Sequence, residues 1–197
     1  MTVSRETAER LAIYEALIAR WNRRINLVAP STLPDFHNRH VRDCLQIAEL
    51  LVNPKGLWAD LGSGGGLPGI ILAIALADKD LNFTLVESDQ RKAVFLRTVL
   101  RETGLQRAKV LNDRIEAISA LNGAYLSARA LAPLPRLMPY LDQHLAPTGR
   151  AFLMKGLHWQ EEVEAAKRFW AFDYVAHPSQ TEAGAAILEV SGVRHGA

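Results

Sequence analysis

Apolar residues change their spacing once along the chain, near Gly56. Before it, Leu11, Tyr14, Leu17, Ile18, Trp21 and Ile25 recur at three- and four-residue steps, which predicts an amphipathic helix from residue 4 to about 25. Ser4 is its candidate N-cap, with Glu6 in the first turn. A second helical stretch, residues 35–51, follows Pro34 and stops before the turn signal Asn53-Pro54-Lys55-Gly56. After Gly56, short apolar or β-branched runs at 57–61, 83–86, 109–111, 125–128 and 151–154 alternate with helical periods such as Gln90–Glu102, which stops at Gly104. Alternation of this kind predicts a doubly wound α/β sheet, with the first helices as an N-terminal extension. The runs at 172–176 and 186–190 are too close for a crossover helix, so they should pair as an antiparallel hairpin.

Composition adds bounds to this pattern. The chain has 197 residues, 49% hydrophobic and 22% charged, enough for one core and a modest extension. A helical segment over 1–54 and a main unit over 55–197, together one compact body, follow as the expected division. The first residues are charged where a secretory signal would be apolar, and the apolar run at 67–77 is interrupted by Pro68 and Gly69 and too short for a membrane span. The expectation is a soluble cytoplasmic protein with no membrane partner. Cys44 is the only cysteine, which excludes an intrachain disulfide and a cysteine-rich metal site. Net charge is only +2, but Arg20, Arg23, Arg24, Arg39 and Arg42 face a single acid, Asp35, within their own span. Such a strip is either a solvated helix face or a nucleic-acid contact.

The motif richest in chemistry is Trp58-Ala59-Asp60-Leu61-Gly62-Ser63-Gly64-Gly65-Gly66-Leu67-Pro68-Gly69, where the first strand turns into the next helix. Glycines let the backbone approach a ligand, and a helix start presents free N–H groups. Gly64, Gly66 and Gly69 satisfy the dinucleotide pattern G-x-G-x-x-G, a weak match alone. Asp60 adds acidic-x-G-x-G, in which an anionic side chain suits S-adenosylmethionine with its sulfonium and ammonium. Glu87 ends the second strand, where a carboxylate accepts hydrogen bonds from both ribose hydroxyls of either cofactor class. A dehydrogenase also needs hydride-transfer machinery, and Tyr-x-x-x-Lys is absent: Arg129 follows Tyr125, and His144 follows Tyr140. The balance favours S-adenosylmethionine, and a parallel sheet closed by an antiparallel last strand resembles the class I methyltransferase fold.

Further segments point to one family. Trp21-Asn22-Arg23-Arg24-Ile25-Asn26-Leu27-Val28 is similar to W-N-x-x-[IY]-N-L, and Arg39-His40-Val41-Arg42-Asp43 to R-H-x-x-D. With the glycine motif, Glu87-Ser88 and Lys92, Arg114-Ile115-Glu116, Ala128-Arg129-Ala130 and Lys155-Gly156, the order along nearly the whole chain resembles the RsmG/GidB family of bacterial 16S rRNA guanine-N7 methyltransferases. The resemblance implies that Gly62, Gly64 and Leu67 line the cofactor, with Glu87 on its ribose. It implies that Ile115 and Glu116 frame the adenine and that Arg129 sits by the reacting methyl. The implied partner is 16S rRNA or the small ribosomal subunit, with no obligate protein partner evident. The chain departs from the family at Cys44, where serine is commoner, and at Tyr125–Ser127, which lack a fourth-strand aspartate.

Guanine N7 carries a lone pair and loses no proton on methylation, so its chemistry needs alignment rather than a general base. Neither Asn/Asp-Pro-Pro-Tyr nor a Pro-Cys nucleophile stands near the fourth strand. Arg129 stands there, either to position phosphate, cofactor carboxylate or guanine edge, or as a structural ion-pair partner. His37, His40 and Asp43 fall at three-residue steps but are too few for zinc, and no metal is expected. His40 and Asp43 are expected to hydrogen-bond near the cofactor pocket. Asn22 and Asn26 lie one turn apart and face either the active-site edge and RNA or a neighbouring loop, the former preferred. Lys155, at the end of the fifth strand, reads equally as a phosphate ligand or a solvated lysine. A small-molecule methyltransferase and a non-enzymatic RNA-binding protein remain as alternatives.

Overall fold

A computed structural model of the chain describes residues 4–196. The outermost positions of the two expected segments, 1–3 and 197, lie outside the described residues. Helix α1 runs Arg5–Trp21, and Ser4 caps it by accepting a hydrogen bond from the Thr7 N–H at 3.1 Å. It stops before the expected Ile25 because Asn22 bends the chain. The Asn22 side-chain oxygen accepts the N–H groups of Leu27 and Val28, and its amide donates to the Val28 carbonyl.

The single helix expected over 35–51 is three elements. Pro30 starts a tight helical segment, Pro30–Asp35, a wide π turn follows at His37–Arg42, and α2 covers Asp43–Glu49. Proline suits a first helical turn, where its missing N–H has no acceptor to serve. In the wider turn adjacent His40 and Val41 are both buried, followed by Asp43 and Cys44, an inward pairing that a regular helical period does not anticipate.

The main unit alternates β1 (Lys55–Leu61), α3 (Gly69–Ala75), β2 (Asp80–Val86), α4 (Gln90–Glu102), β3 (Ala108–Leu111), β4 (Gly123–Arg129), α5 (Leu134–His144), β5 (Leu145–Lys155), α6 (Trp159–Lys167), β6 (Trp170–Pro178) and β7 (Ala186–His195). They form one seven-stranded sheet in the order β3-β2-β1-β4-β5-β7-β6. β7 runs antiparallel to both neighbours, and the other pairs are parallel. This is the class I methyltransferase sheet. Several strands begin earlier than their apolar runs because backbone pairing, as at Lys55 with Asp80, carries polar residues into the ladder.

Two buried layers flank the sheet. One joins Trp58, Phe83 and Phe152 to α3 and α4, and it includes Leu11, Tyr14 and Ile18 of α1, so the N-terminal helices share the main core. The other packs Leu137, Met138 and Leu141 of α5 against Leu126, Leu153 and Leu188. Consecutive parallel strands place their carboxyl ends along one edge, and strand order reverses beside β1. The site is built there.

Candidate active site

The glycine turn leaves β1 at Gly62, which has φ +65°. This backbone conformation favours glycine, and a Cβ here would stand 2.6 Å from the end of the Leu131 side chain, which would have to shift. Asp60 anchors the turn from below. Its carboxylate accepts from Ser63 Oγ and Ser127 Oγ, each at 2.6 Å, and from the Gly69 N–H. Burial pushes its pKa up to about 6, against these hydrogen bonds. Asp60 is fully buried and does not line the cleft, so the expected direct match to a cationic cofactor is corrected to a structural brace. Ser127 occupies β4 opposite Asp60, and its oxygen also accepts from the Trp58 indole at 2.9 Å.

A cleft of about 300 Å³ opens above the turn, lined by Gly62, Gly64, Glu87, Ile115 and Glu116 among others. Glu87 is 7% exposed. One of its oxygens accepts the Gly64 N–H at 2.8 Å and the other the Asp89 N–H at 2.7 Å, which ties the second strand's end to the glycine turn. Asn112 holds the same corner by donating to the Glu87 and Ser88 carbonyls. Ile115 is buried, whereas Glu116 is exposed and paired with Arg114 at 2.6 Å. Leu67 does not reach this cleft; it is 9% exposed and packed in the α3–α4 layer.

The N-terminal helices brace the glycine turn from the other side. Tyr14 Oη donates to the Gly65 carbonyl at 2.7 Å, and the Leu27 carbonyl oxygen lies 3.2 Å from where a Cβ on Gly65 would stand. Asn22 therefore serves the neighbouring loop rather than an open active-site edge, since its amide is spent on Leu27 and Val28. Asn26, Arg23 and Arg24 are exposed.

A second cavity of about 170 Å³, lined by Asp43, Arg129, Lys155 and Glu182 among others, adjoins the first, and Ala130 lines both. Ala130 has φ +51°, an uncommon conformation for a residue with a Cβ, and it turns the chain sharply between Arg129 and Leu131. Arg129 reaches Asp43 Oδ2 at 3.3 Å, the Arg39 carbonyl at 3.4 Å and Cys44 Sγ at 3.5 Å. Asp43 Oδ1 accepts from Thr181 Oγ1 at 2.6 Å, Gln46 Nε2 at 3.0 Å and Ser179 Oγ at 3.2 Å. Thus the loop between β6 and β7 is tied to the end of β4 through one carboxylate.

Neighbouring groups are held in definite charge states. His40 Nε2 lies 2.8 Å from Thr32 Oγ1, and burial, with Arg129 nearby, lowers the His40 pKa to about 4. Burial pushes the Cys44 thiol up to about 12. His37 instead faces Glu15 at 2.7 Å, so the His37, His40 and Asp43 side chains engage different partners. Arg39 is exposed, while its carbonyl serves Arg129. Lys155 fits neither of its expected roles: its side chain is 7% exposed and is bound to Glu162 and the Ala132 carbonyl, each at 2.7 Å. Ser179, Thr181 and Leu131 escaped sequence reasoning, and Ser127 and Tyr140 were not assigned to the site there, because strand register and loop docking bring them in from distant segments.

A model of the family described as rRNA small subunit methyltransferase G, GidB, matches residues 7–190. The chain is 55% identical over 195 residues to the ribosomal RNA small subunit methyltransferase G of Paracoccus denitrificans, covering 99% of this chain and 100% of that protein. It is 46% identical over 199 residues to the protein of the same name from Rhizobium leguminosarum, covering 98% and 96%. Among solved structures, it superposes on a SAM-dependent methyltransferase from Aquifex aeolicus with a TM-score of 0.61 at 10% identity, covering 80% of this chain and 93% of that one. A ribosomal protein L11 methylase from Lactobacillus delbrueckii gives 0.62 at 17% identity, covering 78% of each chain. These structural likenesses establish the fold. Among the described residues, no helix is long and apolar enough to cross a membrane.

Proposed function

The chain belongs to the rRNA small subunit methyltransferase G family, and from that premise we propose that it transfers the methyl group of S-adenosylmethionine to N7 of a guanine in 16S rRNA. The carrying observation is that Ala130 lines both cavities, so a cofactor cleft and a pocket containing Arg129 meet at the end of β4. The small ribosomal subunit, or its free rRNA, is the proposed partner.

The residues of the first cleft fit this cofactor. Glu87 is a buried carboxylate with lone pairs to spare beyond the Gly64 and Asp89 N–H groups, suited to two ribose hydroxyls. Gly62 and Gly64 line the cleft, Gly64 with room where a Cβ would stand, and buried Ile115 offers an apolar surface for the adenine, with Glu116 at the rim. The cofactor supplies an electrophilic methyl group on a sulfonium.

Alignment at the acceptor falls to Arg129. Its planar fork presents donors to the guanine acceptor edge or an adjoining phosphate, while Asp43 fixes its direction. No proton leaves N7, so the pocket requires no base, and His40, kept neutral down to about pH 4, contributes no competing positive charge. Methylation makes the purine cationic, and the carboxylates of Asp43 and Glu182 line the pocket in which that charge develops.

The test is transfer from isotopically labelled S-adenosylmethionine to small subunits and to naked rRNA from a strain lacking this family's enzyme, followed by nucleoside analysis and by mapping of the labelled position on rRNA fragments. Labelled N7-methylguanosine at a single rRNA position supports the proposal. Label on an exocyclic amine, on a ribose or on no RNA contradicts it.

A further inference from the structure

A groove of about 700 Å³ lies where the end of α1 meets the first turn of α4. Arg20, Arg23, Arg24 and Arg91 form its rim, Trp21, Ile25 and Val94 supply its apolar lining, and no acidic residue lines it. Arg20, Arg23 and Arg24 have no ion-pair partner among the described residues, and Arg91 meets only its N-cap neighbour Asp89 at 3.4 Å. Val94 is 44% exposed, an apolar side chain among the exposed polar residues of α4, while Trp21 is held from beneath by Phe95 at 5.6 Å between ring centroids. The expected strip of Arg20 to Arg42 is therefore divided. Its first three arginines gather with Arg91 around an apolar slot, and Arg39 and Arg42 stand elsewhere.

We propose that this groove binds an unpaired nucleotide of the RNA, close to the guanine that is methylated; the inference rests on the rRNA reading above. Three arguments converge. Unpaired guanidinium groups complement phosphate, whose neutralisation dominates nucleic-acid affinity. An apolar slot adds nothing to a duplex backbone, but it receives the face of a splayed base, and guanidinium planes also stack on bases. Position supplies the third argument, because Lys92 lines the cofactor cleft while Arg91, the residue before it, lines the groove. The loop that forms the groove's other wall also rests on the glycine turn through Leu27. N7 inside an A-form helix lies in a deep, narrow groove that side chains do not reach, so the target must be splayed out and its neighbours are free to enter such a slot.

The test compares binding of a labelled short oligouridylate and a short RNA duplex to the full chain from about 50 to 200 mM salt. The single strand should bind about tenfold more tightly than the duplex. Val94→Glu and the double change Arg23→Ala with Arg24→Ala should each weaken single-strand binding about tenfold, with Tm and S-adenosylmethionine affinity unchanged. The double change should also lower the slope of log affinity against log salt by about 1.4. Equal affinity for the two RNAs, or wild-type single-strand affinity in both variants, overturns the inference. Weakened binding to assembled subunits alone also overturns it, by assigning the groove to a ribosomal protein. Methyl transfer separates this inference from the one beneath it. An active wild-type enzyme whose groove variants keep full kcat/KM on rRNA removes the groove and leaves the methylation reading. An inactive wild type that still shows the single-strand preference and the variant losses removes the methylation reading and leaves an RNA site.

Discussion

Arg129 Nη2 stands 3.3 Å from Asp43 Oδ2, which joins the carboxyl end of a sheet strand to the helical segment contributed by the N-terminal region. Asp43 binds Ser179 and Thr181 with its other oxygen, so one carboxylate sets the distance between three walls of the proposed acceptor pocket. Asp43→Asn should cost roughly 1.5–3 kcal/mol of stability through the lost charged hydrogen bonds. It should slow methyl transfer while leaving S-adenosylmethionine affinity near wild type. Urea unfolding and single-turnover transfer check the two effects separately, and an unchanged transfer rate would remove Asp43 from the positioning role.

Arg129→Lys keeps the charge and loses the planar fork. Positioning by Arg129 predicts a drop of at least about tenfold in the single-turnover step with the fold intact. A merely electrostatic role predicts a mild effect, so a lysine variant close to wild type would rule out fork-directed alignment.

The cofactor cleft is tested by Gly62→Val and Glu87→Ala. Valine at Gly62 meets Leu131 and an unfavourable φ, and it should abolish binding in calorimetry. Glu87→Ala should weaken S-adenosylmethionine by roughly 1–3 kcal/mol. Wild-type affinity in both folded variants would place the cofactor elsewhere.

Burial raises the Asp60 carboxyl from the ordinary aspartate range to about 6, so the folded state favours its protonated form. The associated stability is fully present at acidic pH below the unfolded value and is lost as pH rises through about 6. The loss amounts to about 3 kcal/mol. Asp60→Asn should flatten that part of the stability profile measured by denaturant unfolding between about pH 4 and 7. An unchanged slope in the variant would show that the Asp60 carboxylate is not desolvated as described.

Features with a clear period and a stop signal were legible in the sequence. Helix α4 closes at Gly104 and its bounds match the apolar periodicity, and the structure adds Asp89 as its N-cap. Gly62, Gly64 and Glu87 could be gathered before folding because each ends or follows a strand, and parallel strands finish on the same edge, whereas Ile115 was reached through the family resemblance. Asp43 with Thr181 was not legible, because 138 positions separate them and only the docking of the β6–β7 loop unites them. Asp60 was legible as an acid but not as a buried one, since its environment depends on Ser127 across the β1–β4 pair. Lys155 misled for a similar reason: the end of a strand is a ligand position in general, but here Glu162 of the next helix occupies the ammonium.

The central claim is methyl transfer to guanine N7 at a pocket ordered by Arg129 and without a general base. Its most direct measurement is the single-turnover rate of N7-methylguanosine formation as a function of pH, with rRNA and S-adenosylmethionine both saturating. Between about pH 7 and 9, where His40 is neutral and Asp60 is ionised, the rate should be flat. A steep limb within that range, in enzyme that remains folded and RNA-bound, would contradict the account by requiring a titrating base in the transfer step.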